Sequence, residues 1–166
     1  MTHGRKPRKP RLVRNPLTHA NEHVSGLRPH ELANVQRTLD DCLAALRHVR
    51  YEREHIQALN TFWQISQEIE RSGIVKGFTE QINAAHQAAT AIFNRCETPS
   101  GWHTKPLRGP ELAALDDMAY YYMFQIRNVT YGELHRLQNK VIHRAKSMGH
   151  GTEHIKAEQL HVDLVN

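Results

Sequence analysis

Between Leu112 and Ala145 the chain is apolar at helical spacing on more than one side, and this constrains the fold more than any other stretch. Leu112, Leu115, Ala119, Tyr122, Ile126 and Val129 recur at steps of three and four, the repeat of one helical face. Tyr120, Phe124 and Tyr131 form a second line, with Arg127 between them, on another side of the same helix. A helix apolar on two sides has to be covered on two sides. The stretch therefore predicts either the central helix of a bundle or a helix shared with a partner. Its second line, Tyr120, Phe124, Arg127 and Tyr131, is the candidate protein interface, with packing under the Thr98–Pro110 loop as the competing explanation.

The rest of the chain supplies helices to surround it. Pro29 suits a first helical turn, and Leu32, Val35, Leu39, Cys42, Leu43, Leu46 and Val49 trace one face. The charged Tyr51–Glu54 segment interrupts the pattern. Ile56, Leu59, Phe62, Trp63 and Ile69 resume it and lead to Ser72-Gly73, where glycine can take a left-handed cap. Phe78, Ile82, Ala85, Ala89, Ile92, Phe93 and Cys96 give a third face. Thr98–Pro110, rich in proline and glycine, reads as the longest internal loop, with Trp102 as a plug over the bundle. Thr130 and Glu133 have the spacing of a capping box ahead of a helix carrying Leu134, Leu137, Val141, Ile142, Ala145 and Met148. No strand pattern competes. The expectation is an all-α chain: a basic arm over 1–14, disordered when free, one bundle of four to five helices over 15–150, and a C-terminal helix or tail over 151–166. Leu39, Leu46, Phe62, Ile82, Ile92, Leu115, Tyr122 and Ile126 are its expected core.

Charge is distributed unevenly. Arg5, Lys6, Arg8, Lys9, Arg11 and Arg14 place six cations and no acid in the first fourteen residues, whereas 15–166 holds 16 basic and 17 acidic side chains. A segment so polar cannot offset its ordering entropy by burial. Its concentrated field suits phosphate backbones or another acidic surface, and a merely solubilising tail is the plain alternative. Cys42 and Cys96 lie on separate helical faces without metal-ligand spacing, so they read as reduced core thiols of a cytoplasmic protein. No stretch approaches the roughly 20 apolar residues of a membrane span.

Signals for chemistry are sparse. Thirteen histidines stand out. His48, Glu52 and His55 have the spacing i, i+4, i+7, repeated in His154, Glu158 and His161, and on a continuous helix either trio could present two imidazoles and a carboxylate to one metal. Neither matches the His-Glu-x-x-His pattern, and solvated surface histidines are the favoured reading. Asp40-Asp41 and Asp116-Asp117 leave a helix about 100° apart, so neither is a facing carboxylate pair. A helix-turn-helix across Ile56–Asn94 would place Asn83, His86, Gln87, Asn94 and Arg95 on its second helix, which has few cations for phosphates. An antiparallel hairpin is the simpler reading. No cofactor motif and no catalytic constellation appears, and the chain reads as no enzyme.

The basic tail is followed by Asn15-Pro16-Leu17-Thr18-His19-Ala20, an amphipathic helix pair, Ser72-Gly73-Ile74, Gly101-Trp102, and Thr130-Tyr131-Gly132-Glu133-Leu134 before a basic helix. This order resembles a group of small proteins carried by phages, prophages and other mobile elements of proteobacteria, some of them labelled Fis-type regulators. The resemblance implies an accessory or regulatory role and assigns no site residues. The expectation is a protein that engages a nucleic acid or nucleoprotein complex through its arm. The alternative is an inhibitor or counter-defence factor that docks on a host protein through the aromatic surface. A homo-oligomer is compatible with either.

Overall fold

The computed structural model describes residues 24–147. The sequence expectations for the 1–14 arm, for residues 15–23, for His154, Glu158 and His161, and for the C-terminal tail concern residues outside this range. The described chain is all-α: α1 (Pro29–Arg47), α2 (Arg53–Ser72), α3 (Thr79–Cys96), α4 (Gly109–Arg127) and α5 (Tyr131–Ser147). Between α3 and α4 lies one addition that the apolar pattern does not announce. Glu97–Thr98 (β1) and Gly101–Trp102 (β2) form a minimal antiparallel hairpin at the head of the predicted loop.

Local chemistry accounts for most of the boundaries. Pro29 opens α1, where the Glu31 carboxylate accepts the Arg28 N–H at 2.7 Å. At the start of α2 the Glu52 N–H donates to His55 Nδ1 at 3.0 Å. Gly73, at φ 79°, ends α2 in the left-handed cap. Glu70 then reaches past that end to accept the Gly77 and Phe78 N–H groups at 3.0 and 3.3 Å and the Thr79 hydroxyl at 2.9 Å. These bonds outweigh the cost of its burial and hold its carboxyl below the ordinary range. The Thr130–Glu133 capping box forms as its spacing predicts. Glu133 Oε2 accepts the Thr130 N–H at 2.9 Å, and Thr130 Oγ1 accepts the Glu133 N–H at 3.2 Å.

All eight expected core residues are buried. The helix at the centre, however, is shared. α4 packs chiefly against α1, α2 and α3, as a helix apolar on two sides requires, but α2 packs against all four others. Phe62 meets Tyr122 with ring centroids 5.2 Å apart, and one turn further Ser66 Oγ donates to Gln125 Oε1 at 2.5 Å, so α2 and α4 are matched in register. Cys42 and Cys96 are both buried free thiols, and burial pushes Cys42 up to about 11.

The interruption between α1 and α2 is sharper than its charge suggests. Tyr51 is fully buried there, its ring edge-on to Trp102 at 6.2 Å and its hydroxyl donating to the Lys105 carbonyl at 2.5 Å. Thr104 Oγ1 returns a bond to the Tyr51 carbonyl at 2.7 Å. Burial and the neighbouring Cys96 thiol raise the phenol to about 12. Trp102 also meets Phe93 at 5.7 Å and so plugs this end of the bundle as expected.

Reaching that position holds Val49 at φ 54°, a left-handed conformation that a β-branched side chain adopts at a cost of about 1–2 kcal/mol. Because Val49 is exposed, Val49→Gly loses little packing and is expected to raise stability by about 1 kcal/mol in urea unfolding. A lower midpoint would mean that the valine side chain contributes more than its backbone strain removes.

Candidate interaction surfaces

The second line on α4 lies at the surface. Tyr120 is 70% exposed and Phe124 46% exposed, one helical turn apart. Two further rings complete the patch. Phe78, at the start of α3, lies 4.6 Å from Tyr121 and edge-on to Phe124 at 5.7 Å, while Tyr120 meets Tyr121 at 5.4 Å. The 98–110 loop does not cover these rings, since its Trp102 and Lys105 are engaged with Tyr51. Arg127 is exposed at the last residue of α4. Tyr131 does not continue the line, contrary to the sequence expectation. The chain leaves α4 after Arg127, and Tyr131 opens α5, lying nearly parallel to His135 at 6.3 Å. The line thus contains Tyr120 and Phe124 with Phe78 and Tyr121, the two rings that periodicity along one helix did not assign to it.

A second surface is polar and is built from α2 and α5. Glu68 has no exposed surface. Its Oε1 takes Arg71 at 3.1 Å and Arg144 at 2.5 Å, and its Oε2 takes Lys140 at 2.7 Å. Burial alone would raise its carboxyl, but the bonds from Lys140, Arg144 and Arg71 prevail and hold it below the ordinary range. Three cations on one carboxylate leave a net charge of about +2 at this point. Neither residue type nor helical spacing along α5 alone reveals the arrangement, because the acid that gathers the cations is on α2.

The remaining candidates are dispersed. His48 and Glu52 precede α2 and His55 lies within it, so the trio is split by the turn, and His55 accepts the helix-capping N–H. Among the described residues no three His, Cys, Asp or Glu side chains converge as a metal-binding group. Asp116 pairs with Arg47 at 2.6 Å, and Asp40 accepts from Gln36 at 3.0 Å. α2 and α3 form a long hairpin, with Trp63 stacked on His86 at 4.0 Å, rather than the short crossed pair of a DNA-reading motif. Arg95, placed on the reading face of that motif, instead binds Glu111 through both carboxylate oxygens at 2.6 and 2.7 Å. Among the described residues no helix is long and apolar enough to cross a membrane. No protein-family model, curated protein or solved structure matches the chain.

Proposed function

We propose that this chain is a non-enzymatic accessory or regulatory protein of a phage or mobile element, and that it binds a nucleic acid or nucleoprotein complex. Arg5, Lys6, Arg8, Lys9, Arg11 and Arg14 make the primary contact. The observation that carries the reading is the segregation of charge: six cations without an acid in fourteen residues, ahead of a remainder close to neutrality. Each phosphate neutralised on duplex DNA releases counterions and contributes a salt slope of about −0.9. Deleting residues 1–14 is therefore expected to flatten the dependence of log K on log salt by up to about five units. Equal slopes for the full-length and truncated chains would remove the arm as the contact.

A second reading is favoured by the exposed rings of Tyr120 and Phe124. Aromatic and arginine anchors dominate many protein interfaces, and this patch, with Arg127, suits an inhibitor or counter-defence factor that docks on a host protein. Capture of a host protein that survives nuclease treatment, and is lost in Tyr120→Ala, would favour it over nucleic-acid binding.

A further inference from the structure

The Glu68 cluster is larger than a tie between two helices requires. One cation from α5 would neutralise the buried carboxylate and join α5 to α2, yet two from α5 and one from α2 converge on it. Their side chains remain about half exposed, at 52% for Arg71, 58% for Lys140 and 43% for Arg144, while the carboxylate beneath has no exposed surface. The negative charge is thus inside and the surplus positive charge is at the surface. Each arginine places one terminal nitrogen on Glu68, and a guanidinium carries five donors in a fixed fork.

α5 extends the feature. Arg136, Lys140 and Arg144 follow one another at four-residue steps, which places them about 6 Å apart along about 12 Å of helix. Arg136 is exposed. The single acid of α5, Glu133, caps Thr130 and lies one turn before Arg136, whose charge helps hold its carboxyl below the ordinary range. Lys140 and Arg144 therefore have no carboxylate of α5 within a turn of them. Cations held in advance by a buried counter-charge lose less side-chain freedom when an anion arrives than free lysines or arginines do.

We infer that Arg71, Lys140 and Arg144, set by Glu68 and continued by Arg136, form a phosphate-binding face for the backbone of a duplex nucleic acid. The inference rests on the nucleic-acid reading above and adds a folded contact to the arm. Arm and face play different parts. The arm supplies charge, and the face, whose cations are held by Glu68, sets how the bundle lies on the duplex. Contacts of this kind position a protein without reading sequence.

The test is binding of the full chain to a mixed-sequence 30-base-pair DNA, titrated against salt and followed by anisotropy. Lys140→Gln/Arg144→Gln is expected to reduce the salt slope by about 1.8 units and affinity at low salt by about tenfold or more. Arg136→Gln, which touches neither Glu68 nor the core, is expected to reduce the slope by about 0.9. It decides the matter if the double variant fails to fold. Slopes equal to that of the unaltered chain in both variants would overturn the inference and reduce the cluster to an interhelical tie. In that case, if the unaltered chain still binds and neutralising the six arm cations to glutamine abolishes binding, the broader reading stands and only the folded contact fails. An unaltered chain that does not bind DNA would overturn both. Polyglutamate displacing the DNA as well as competing duplex does, charge for charge, would also overturn the inference and assign the face to an acidic protein.

Discussion

Tyr122→Ala is expected to cost about 3–5 kcal/mol of folding stability, and Phe124→Ala, two residues further along the same helix, about 1 kcal/mol. The difference follows from where the rings lie. Tyr122 is fully buried against Phe62 between α4 and α2. Its removal leaves a cavity lined by a rigid helix pair, which cannot collapse without shifting the Ser66–Gln125 bond one turn away. Phe124 has nearly half its surface in water and touches Phe78 by an edge, so its truncation removes little buried area. Against a typical total of about 5–15 kcal/mol, the first variant approaches global unfolding and lowers the melting temperature by roughly 10–20 °C. The second melts almost normally, and any defect it has appears in association. Thermal melts with light scattering compare the two. A Phe124→Ala loss as large as that of Tyr122→Ala would place Phe124 in the core and remove the aromatic patch as an interface.

Arg95→Met is expected to destabilise the bundle by about 2–4 kcal/mol at pH 7, because it leaves the largely buried Glu111 carboxylate without its cation. The Arg108 N–H at 2.8 Å remains to it, which keeps the loss below that of a wholly orphaned charge. The effect depends on pH. In the unaltered protein the Arg95 bond, opposed by burial, holds the Glu111 carboxyl below its usual range. A depressed carboxyl contributes stability that is fully present above its unfolded value of about 4.3 and is lost as pH falls through the lower folded value. Without Arg95, burial is opposed only by the Arg108 contacts, so the carboxyl rises from its value in the unaltered protein and is more easily protonated in the variant. The gap between the two proteins in urea unfolding should therefore be widest at neutral pH and narrow below about pH 4. A gap that is the same at pH 7 and pH 3.5 would mean that Arg95 acts by packing alone.

The helices were legible because burial along one helix obeys a period, and period is written in sequence. Leu39, Ile92 and Ile126 declare themselves in this way, as do the Gly73 cap and the Thr130–Glu133 box, whose chemistry reaches no more than three positions along the chain. What was not legible depends on contacts between distant segments. Tyr51 sits in a charged interruption and becomes core only because Lys105 and Trp102 arrive from more than fifty positions away. Gln125 falls on the apolar side of α4 and is tolerated there because Ser66 supplies both halves of a buried pair. Arg95 reads as a base-contacting side chain until Glu111 claims it. The same limit applies to the surfaces. The separation of Tyr120 and Phe124 from Tyr122 followed from angular position on one helix, but Phe78 joined them from just before α3, Tyr131 begins a separate helix, and Glu68 gathered its cations across two helices.

That α2 touches every other helix has a kinetic meaning. Its pairings with α1 and α3 close short segments of chain, and the entropy lost on closing a loop grows only with the logarithm of its length. Both hairpins can therefore assemble around α2 before the long 97–108 connection brings α4 into place, and local contacts of this kind favour rapid folding. In the reverse direction, α2 cannot leave without releasing all four neighbours at once. Its amides should thus exchange with solvent only through opening of the whole bundle, whereas the outer turns of α1 and α5 can fray separately.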